Sequence, residues 1–167
     1  MKRFGLILAS TLVIPLLVTN ANAKVKKYGV TVDNCGFDYD DEDFCTDKRL
    51  KTYAQVLKTR KPNFDKDKIL YIFQSSDPDT GYRIVLMDTK TKMVSPMMHS
   101  FLKASDSRGN LVKVNSKGDN LEFDFNVNSN KFCFKGNISA YRDAYDYESG
   151  PFCYRYDPKF KELSRDF

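Results

Sequence analysis

The chain has no tryptophan and one histidine, His99, among its 167 residues. Those shortages remove much chemistry. A Ser-His-Asp system would need His99 as its base. That residue sits in the apolar, strand-like stretch Met97-Met98-His99-Ser100-Phe101, and no Gly-x-Ser-x-Gly accompanies it. A zinc site wants cysteine and histidine at short fixed spacings, and the chain has no Cys-x-x-Cys. Without Trp, the usual platform for stacking sugar rings is missing. Its 22 acids offer carboxylate pairs on paper, but spacing alone supplies neither the separation nor the raised pKa a glycoside hydrolase needs. The expectation is a protein that is not an enzyme and needs neither metal nor cofactor.

Long apolar runs are equally scarce. The one present, Phe4 to Val18, contains Pro15 and falls short of the ~20 apolar residues that span a bilayer. Lys2 and Arg3 precede it, and Thr19-Asn20-Ala21-Asn22-Ala23 follows, with small side chains at 21 and 23. This order of charged, apolar and small-polar regions reads as a secretory signal cleaved before Lys24. Residues 1–23 are therefore expected to leave, and 24–167 to form one domain. The cleavage site carries no cysteine, which argues against a lipid anchor. The signal is similar in style to bacterial ones, so the expected destination is the periplasm or the medium, with no membrane span after cleavage.

A strong charge bias is also missing. Loss of Lys2 and Arg3 takes the basic count from 27 to 25 against 22 acids, a net charge of +3. Nucleic-acid binders usually show a far stronger basic face, so nucleic acid is not an expected partner. The basic residues Lys24, Lys26, Lys27 and the run Lys58-Thr59-Arg60-Lys61 read as a solvated terminus and a helix end whose cations suit the dipole.

What the chain does have is four cysteines, Cys35, Cys45, Cys133 and Cys153. An even count in an exported domain reads as disulfides. Of three connectivities, Cys35–Cys45 with Cys133–Cys153 closes the two shortest loops. The loop-entropy model gives each roughly 3 kcal/mol.

The elements follow from periodicity. Lys27–Asp33 reads as a first strand. Thr46 or Asp47 caps a helix whose Leu50, Tyr53, Ala54 and Leu57 share one face, and Lys61-Pro62 stops it. Strands are then expected at 68–74 and 82–87, and at 93–102 with an edge or bulge at Pro96. A short one is expected at 111–114. Along 120–127, Leu121, Phe123, Phe125 and Val127 alternate with polar residues, which marks one buried and one wet face. Lys131–Lys135 should form a hairpin with it, and Phe152–Tyr156 is the last strand. The expected fold is α+β, mainly β: an antiparallel meander of about seven strands, curled or barrel-like, with one N-terminal amphipathic helix and two disulfides.

Two segments stand out as surfaces for a partner. The loop between Cys35 and Cys45 holds Asp38, Asp40, Asp41, Glu42 and Asp43. Its spacing lacks the glycine and distal glutamate of an EF-hand, although clustered carboxylates suit Ca²⁺. The competing readings are a solvated loop and a recognition loop for a basic partner. The second segment holds Tyr141, Tyr145 and Tyr147, with Tyr154-Arg155-Tyr156 beyond it. Tyrosine and arginine suit binding hot spots. Asn137-Ile138-Ser139 matches a glycosylation sequon, which would normally be silent in a bacterial periplasm. The overall design is similar to that of small exported bacterial inhibitors of lytic enzymes and immunity proteins against toxins. It implies a non-catalytic protein-binding module whose asparate-rich loop and tyrosines meet another protein. The alternatives are a calcium- or ligand-binding protein and a structural envelope protein.

Overall fold

A computed structural model of the chain describes residues 24–37, 41–77, 81–139 and 150–166. The proposed signal, Asp38, Asp40, Tyr141, Tyr145 and Tyr147 all lie outside the described residues. Among those described there are eleven short strands and one helix, and no helix is long and apolar enough to cross a membrane.

The first expected strand is in fact a tight hairpin, β1 (Val25–Lys27) and β2 (Val30–Val32). Tyr28 and Gly29 both take positive φ, 53° and 79°, the pattern of a type I′ turn, whose twist matches that of the flanking strands. The helix α1 (Asp47–Thr59) starts where its cap predicts: the Thr46 hydroxyl accepts from the Arg49 N–H at 3.2 Å. It ends at Arg60, whose extended backbone leads into Lys61-Pro62. Its buried face is Leu50, Tyr53 and Val56, with Ala54 and Leu57 half-buried. The helix follows two strands, so it is not N-terminal as expected.

Five further strands join the hairpin in a seven-stranded sheet: β3 (Lys68–Gln74), β4 (Tyr82–Asp88), β5 (Met93–Pro96), β6 (Ser100–Leu102) and β9 (Asn137–Ser139) with β1 and β2. A four-stranded sheet holds β7 (Glu122–Asp124), β8 (Lys131–Lys135), β10 (Phe152–Asp157) and β11 (Glu162–Arg165), in the order β11-β10-β8-β7. The expected antiparallel meander is corrected here, because β2 pairs with β5 in parallel. The helix carries the chain across one face of the sheet, so β2 ends beside a strand that arrives much later. The barrel-like closure is replaced by two sheets and a helix in three layers.

The layering explains the sequence pattern. Strands β3 and β4 are apolar almost throughout because both faces are covered. Ile69, Phe73, Val85 and Met87 pack toward the helix with Leu50, Tyr53 and Val56. Leu70, Ile84 and Leu86 pack toward the second sheet with Phe132, Phe134 and Tyr154. Phe101 sits at the centre of that second core, 4.9 Å from Phe134, ring centroid to centroid, edge-on. Phe101→Ala is expected to cost about 3–5 kcal/mol in a denaturant melt. The outer sheet keeps one wet face, so its strands alternate.

The alternation of 120–127 breaks earlier than expected. β7 ends at Asp124 and Val127 is 37 % exposed. The following loop bonds instead to the turn before β3, where Val127 and Ser129 carbonyls accept from the Lys66 and Asp65 N–H groups. Residues 111–114 form only an isolated bridge, with Leu111 exposed. The chain changes sheets at Gly136, between β8 and β9. A Cβ there would lie 2.4 Å from the Leu102 carbonyl oxygen and from Phe134, so only glycine permits the crossing.

Both disulfides pair as the loop lengths favoured, Cys35–Cys45 and Cys133–Cys153. Cys133 and Cys153 are directly opposed on β8 and β10. They staple the outer sheet on the face away from its phenylalanines. Two disulfides fit an oxidising compartment.

Candidate functional site

The loop closed by Cys35–Cys45 alternates in burial where its charge does not. Asp41 and Asp43 are exposed, whereas Glu42 and Phe44 are buried, Glu42 to 2 % exposure. The acidic loop is thus corrected in one respect: one of its carboxylates points inward. Two N–H groups of Arg49 converge on Glu42 Oε1 at 3.1 and 2.8 Å. The Ser75 hydroxyl and the Ser76 N–H donate to Oε2, each at 2.8 Å. Burial pushes this carboxyl up, but the bonds from Ser76, Ser75 and Arg49 together hold it below the ordinary value. Arg49 in turn lies over the Phe73 ring at 4.0 Å. Glu42 therefore ties the loop to the helix and to the end of β3.

The outward members gain from this anchoring. The Asp43 carboxylate accepts from the Cys45 N–H at 2.7 Å, and the Phe44 N–H donates to the Cys35 carbonyl at 2.9 Å. Disulfide, buried ion pair and short backbone bonds hold Asp41 and Asp43 on a fixed rim. The inward ring of Phe44 meets Phe37 edge-on at 5.9 Å.

Phe37 reaches further, into a cleft of about 350 Å³. The opposite walls are residues 95–99 and the strand β11, with Pro96, Met97, Met98, His99 and Leu163 among the lining. The 95–99 wall exists because of a bulge. Val85 faces Pro96 and Tyr82 faces Phe101, so Arg83 and Ile84 oppose Met97 to Ser100, two residues against four. This is the interruption that Pro96 signals. Arg83 props the bulge from below. It is 2 % exposed, donates from Nη1 to the Ser100 hydroxyl at 2.7 Å and from Nη2 to the Met97 carbonyl at 3.4 Å, and lies 5.1 Å from the Phe44 ring. One buried arginine thus holds the 95–99 segment and lies near Phe44, whose ring meets Phe37. Met98 stands 52 % exposed beside it, and methionine is a side chain that repacks readily around a ligand. Ser95, also in the lining, donates its hydroxyl to Asp33.

The structure therefore shows an apolar cleft that sequence reading did not foresee, lined through Phe37 by the same loop that carries the exposed Asp41 and Asp43. His99 lines that cleft, its ring tilted against Tyr154 with centroids 5.5 Å apart. Tyr154 and Tyr156, read with the tyrosine segment, are core residues at 1 % and 7 % exposure. Asp38, Asp40, Tyr141, Tyr145 and Tyr147 fall outside the described residues. Among the described residues no three His, Cys, Asp or Glu groups gather as a metal site. Glu42 and Arg83 were missed as organisers. The lone arginine inside the apolar run Tyr82–Met87 was the available signal, since a charge in a two-faced buried strand must be held by something.

The fold defines a disulfide-stapled, three-layer, mainly β domain. No family model, curated protein or solved structure matches the chain.

Proposed function

We propose that this chain is an exported, non-catalytic module that binds another protein, in the manner of an inhibitor or immunity protein that blocks a lytic enzyme or toxin. The observation that carries this reading is the shared origin of charge and cavity. Phe37 lines the cleft, and Asp41 and Asp43 stand exposed on the same disulfide-closed loop. Exposed carboxylates on a disulfide-closed loop that also lines an apolar cleft suit a partner segment that combines a basic side chain with an apolar tip. Rim charges of this kind steer encounter and suppress wrong partners, while the buried anchor supplies most of the affinity. The mild overall charge leaves the local rim as the steering element.

The test is affinity capture with the oxidised protein, from envelope extract and from the secreted proteins of neighbouring species. One dominant enzyme or toxin is expected, lost with Asp41→Lys/Asp43→Lys and weakened by Met98→Asp. Retention of the same protein by both variants would remove this site from the function.

A further inference from the structure

A second groove lies on the helix side of the molecule, between the β1–β2 turn and α1. It measures about 260 Å³ and is lined by Tyr28, Gly29, Val30, Ala54, Leu57, Lys58 and Lys92. Its floor is apolar: Val30 is buried, and Ala54 and Leu57 are half-buried. Its walls are cationic. Lys58 comes from the last turn of the helix, and Lys92 from the turn between β4 and β5. Both are exposed, and neither has an ion-pair partner among the described residues. Lys27 and Lys51 flank the Tyr28 ring at 5.1 and 5.3 Å.

This wall is built rather than incidental. The Tyr28 hydroxyl donates to both Asp47 oxygens at 2.8 and 2.9 Å, and Lys27 and Lys51 reach the same carboxylate at 2.6 and 2.8 Å. Asp47 gathers the turn onto the helix and fixes the ring. Lys92 is positioned from its backbone, whose carbonyl accepts from the Thr31 N–H at 3.0 Å in the parallel β2–β5 pair. Of the residues expected as a solvated terminus and helix end, Lys58 thus lines a concave, apolar-floored site and Lys27 flanks its Tyr28 wall.

We infer that this groove docks an acidic segment of a partner protein. Carboxylates meet Lys58 and Lys92, and one apolar side chain enters between them onto Val30, Ala54 and Leu57. Charge complementarity selects the sign of the partner. Shape selects a peptide over a lipid surface. A bilayer is met by apolar side chains that stand out from a protein, whereas here the apolar atoms lie at the bottom of a groove and the exposed ring is pinned to Asp47. The inference stands on a different face and different residues from the acidic rim, and holds whether or not that rim binds.

The probe is the capped peptide Glu-Asp-Leu-Glu-Asp-Glu, titrated into the oxidised, isotope-labelled protein and followed by amide NMR. Saturable shifts are expected at Tyr28 to Val30, Ala54, Leu57, Lys58 and Lys92. Affinity should fall about tenfold in Lys58→Glu/Lys92→Glu, a change of about 1.4 kcal/mol. It should fall as salt shortens the screening length, and with serine in place of the peptide's leucine. Asp41→Lys/Asp43→Lys should leave it unchanged. Both lysines are exposed, so the fold should survive reversal, and the wild-type shift map stands without any variant. Absent shifts, shifts elsewhere, or undiminished binding by the lysine variant would overturn the inference. So would groove shifts with phosphatidylglycerol vesicles where the peptide gives none.

Discussion

The acidic rim and the basic groove carry charge in opposite ways. At the rim, Glu42 turns inward and is fully bonded, and its neighbours Asp41 and Asp43 are displayed on what it anchors. At the groove, Lys58 and Lys92 are exposed, with the Lys92 ammonium donating to the Thr89 carbonyl, and Lys27 and Lys51 gather beside it around the exposed carboxylate of Asp47. The loop at the rim is tied down through a buried charge. The groove's Tyr28 wall is tied through an exposed one, Asp47. A run of like charge in sequence can therefore hide two unlike devices, an anchor and a display.

Breaking the anchor should have the largest effect. Glu42→Ala strips the acceptor from Arg49 and from the Ser75 and Ser76 donors. Removing one partner of a buried pair costs about 3–5 kcal/mol, and the lower end is expected because Arg49 keeps 17 % side-chain exposure. A urea melt reads the loss, and an unchanged midpoint would show that Glu42 anchors nothing. Cys35→Ser/Cys45→Ser should follow at about 3 kcal/mol or less, with local exchange in residues 41–45 rising more than elsewhere.

Acid should sharpen the same contrast. The Glu42 carboxyl titrates lower in the folded protein than its unfolded value of about 4.3. Its contribution is complete above that value and is lost as pH falls through the lower folded pKa. Melts taken from pH 6 downward (roughly to pH 2) should show a steeper fall in wild type than in Glu42→Gln. Equal slopes would mean the acid loss comes from other carboxylates. The smallest effect should come from Asp47→Asn. Its exposed ion pairs contribute little to folding, so the melt should stay within scatter while the Tyr28 resonances shift.

Much of the fold was legible because local rules and packing agreed. Thr46 and Pro62 bound the helix, the loop lengths favoured both disulfides, and Pro96 marked the bulge. The parallel β2–β5 pair was not legible, because it joins segments about sixty residues apart and leaves no local period. Tyr28-Gly29 hid a hairpin because tyrosine seldom takes positive φ. Strands β9 and β11 are short, polar and stabilised by neighbours, so their sequences read as loop and tail. Of the candidate site, the exposed Asp41 and Asp43 were read from sequence. Glu42 was not singled out, since its serine partners lie more than thirty residues away. The cleft was not either, because Phe37, Met98 and Leu163 meet only through the fold.

The most direct test of the rim-and-cleft reading is hydrogen–deuterium exchange of the oxidised protein with and without its captured partner. Protection is expected in peptides covering 35–45, 95–99 and 162–166, with α1 unchanged. Protection confined to α1 and the β1–β2 turn, with 35–45 still exchanging freely, would contradict it.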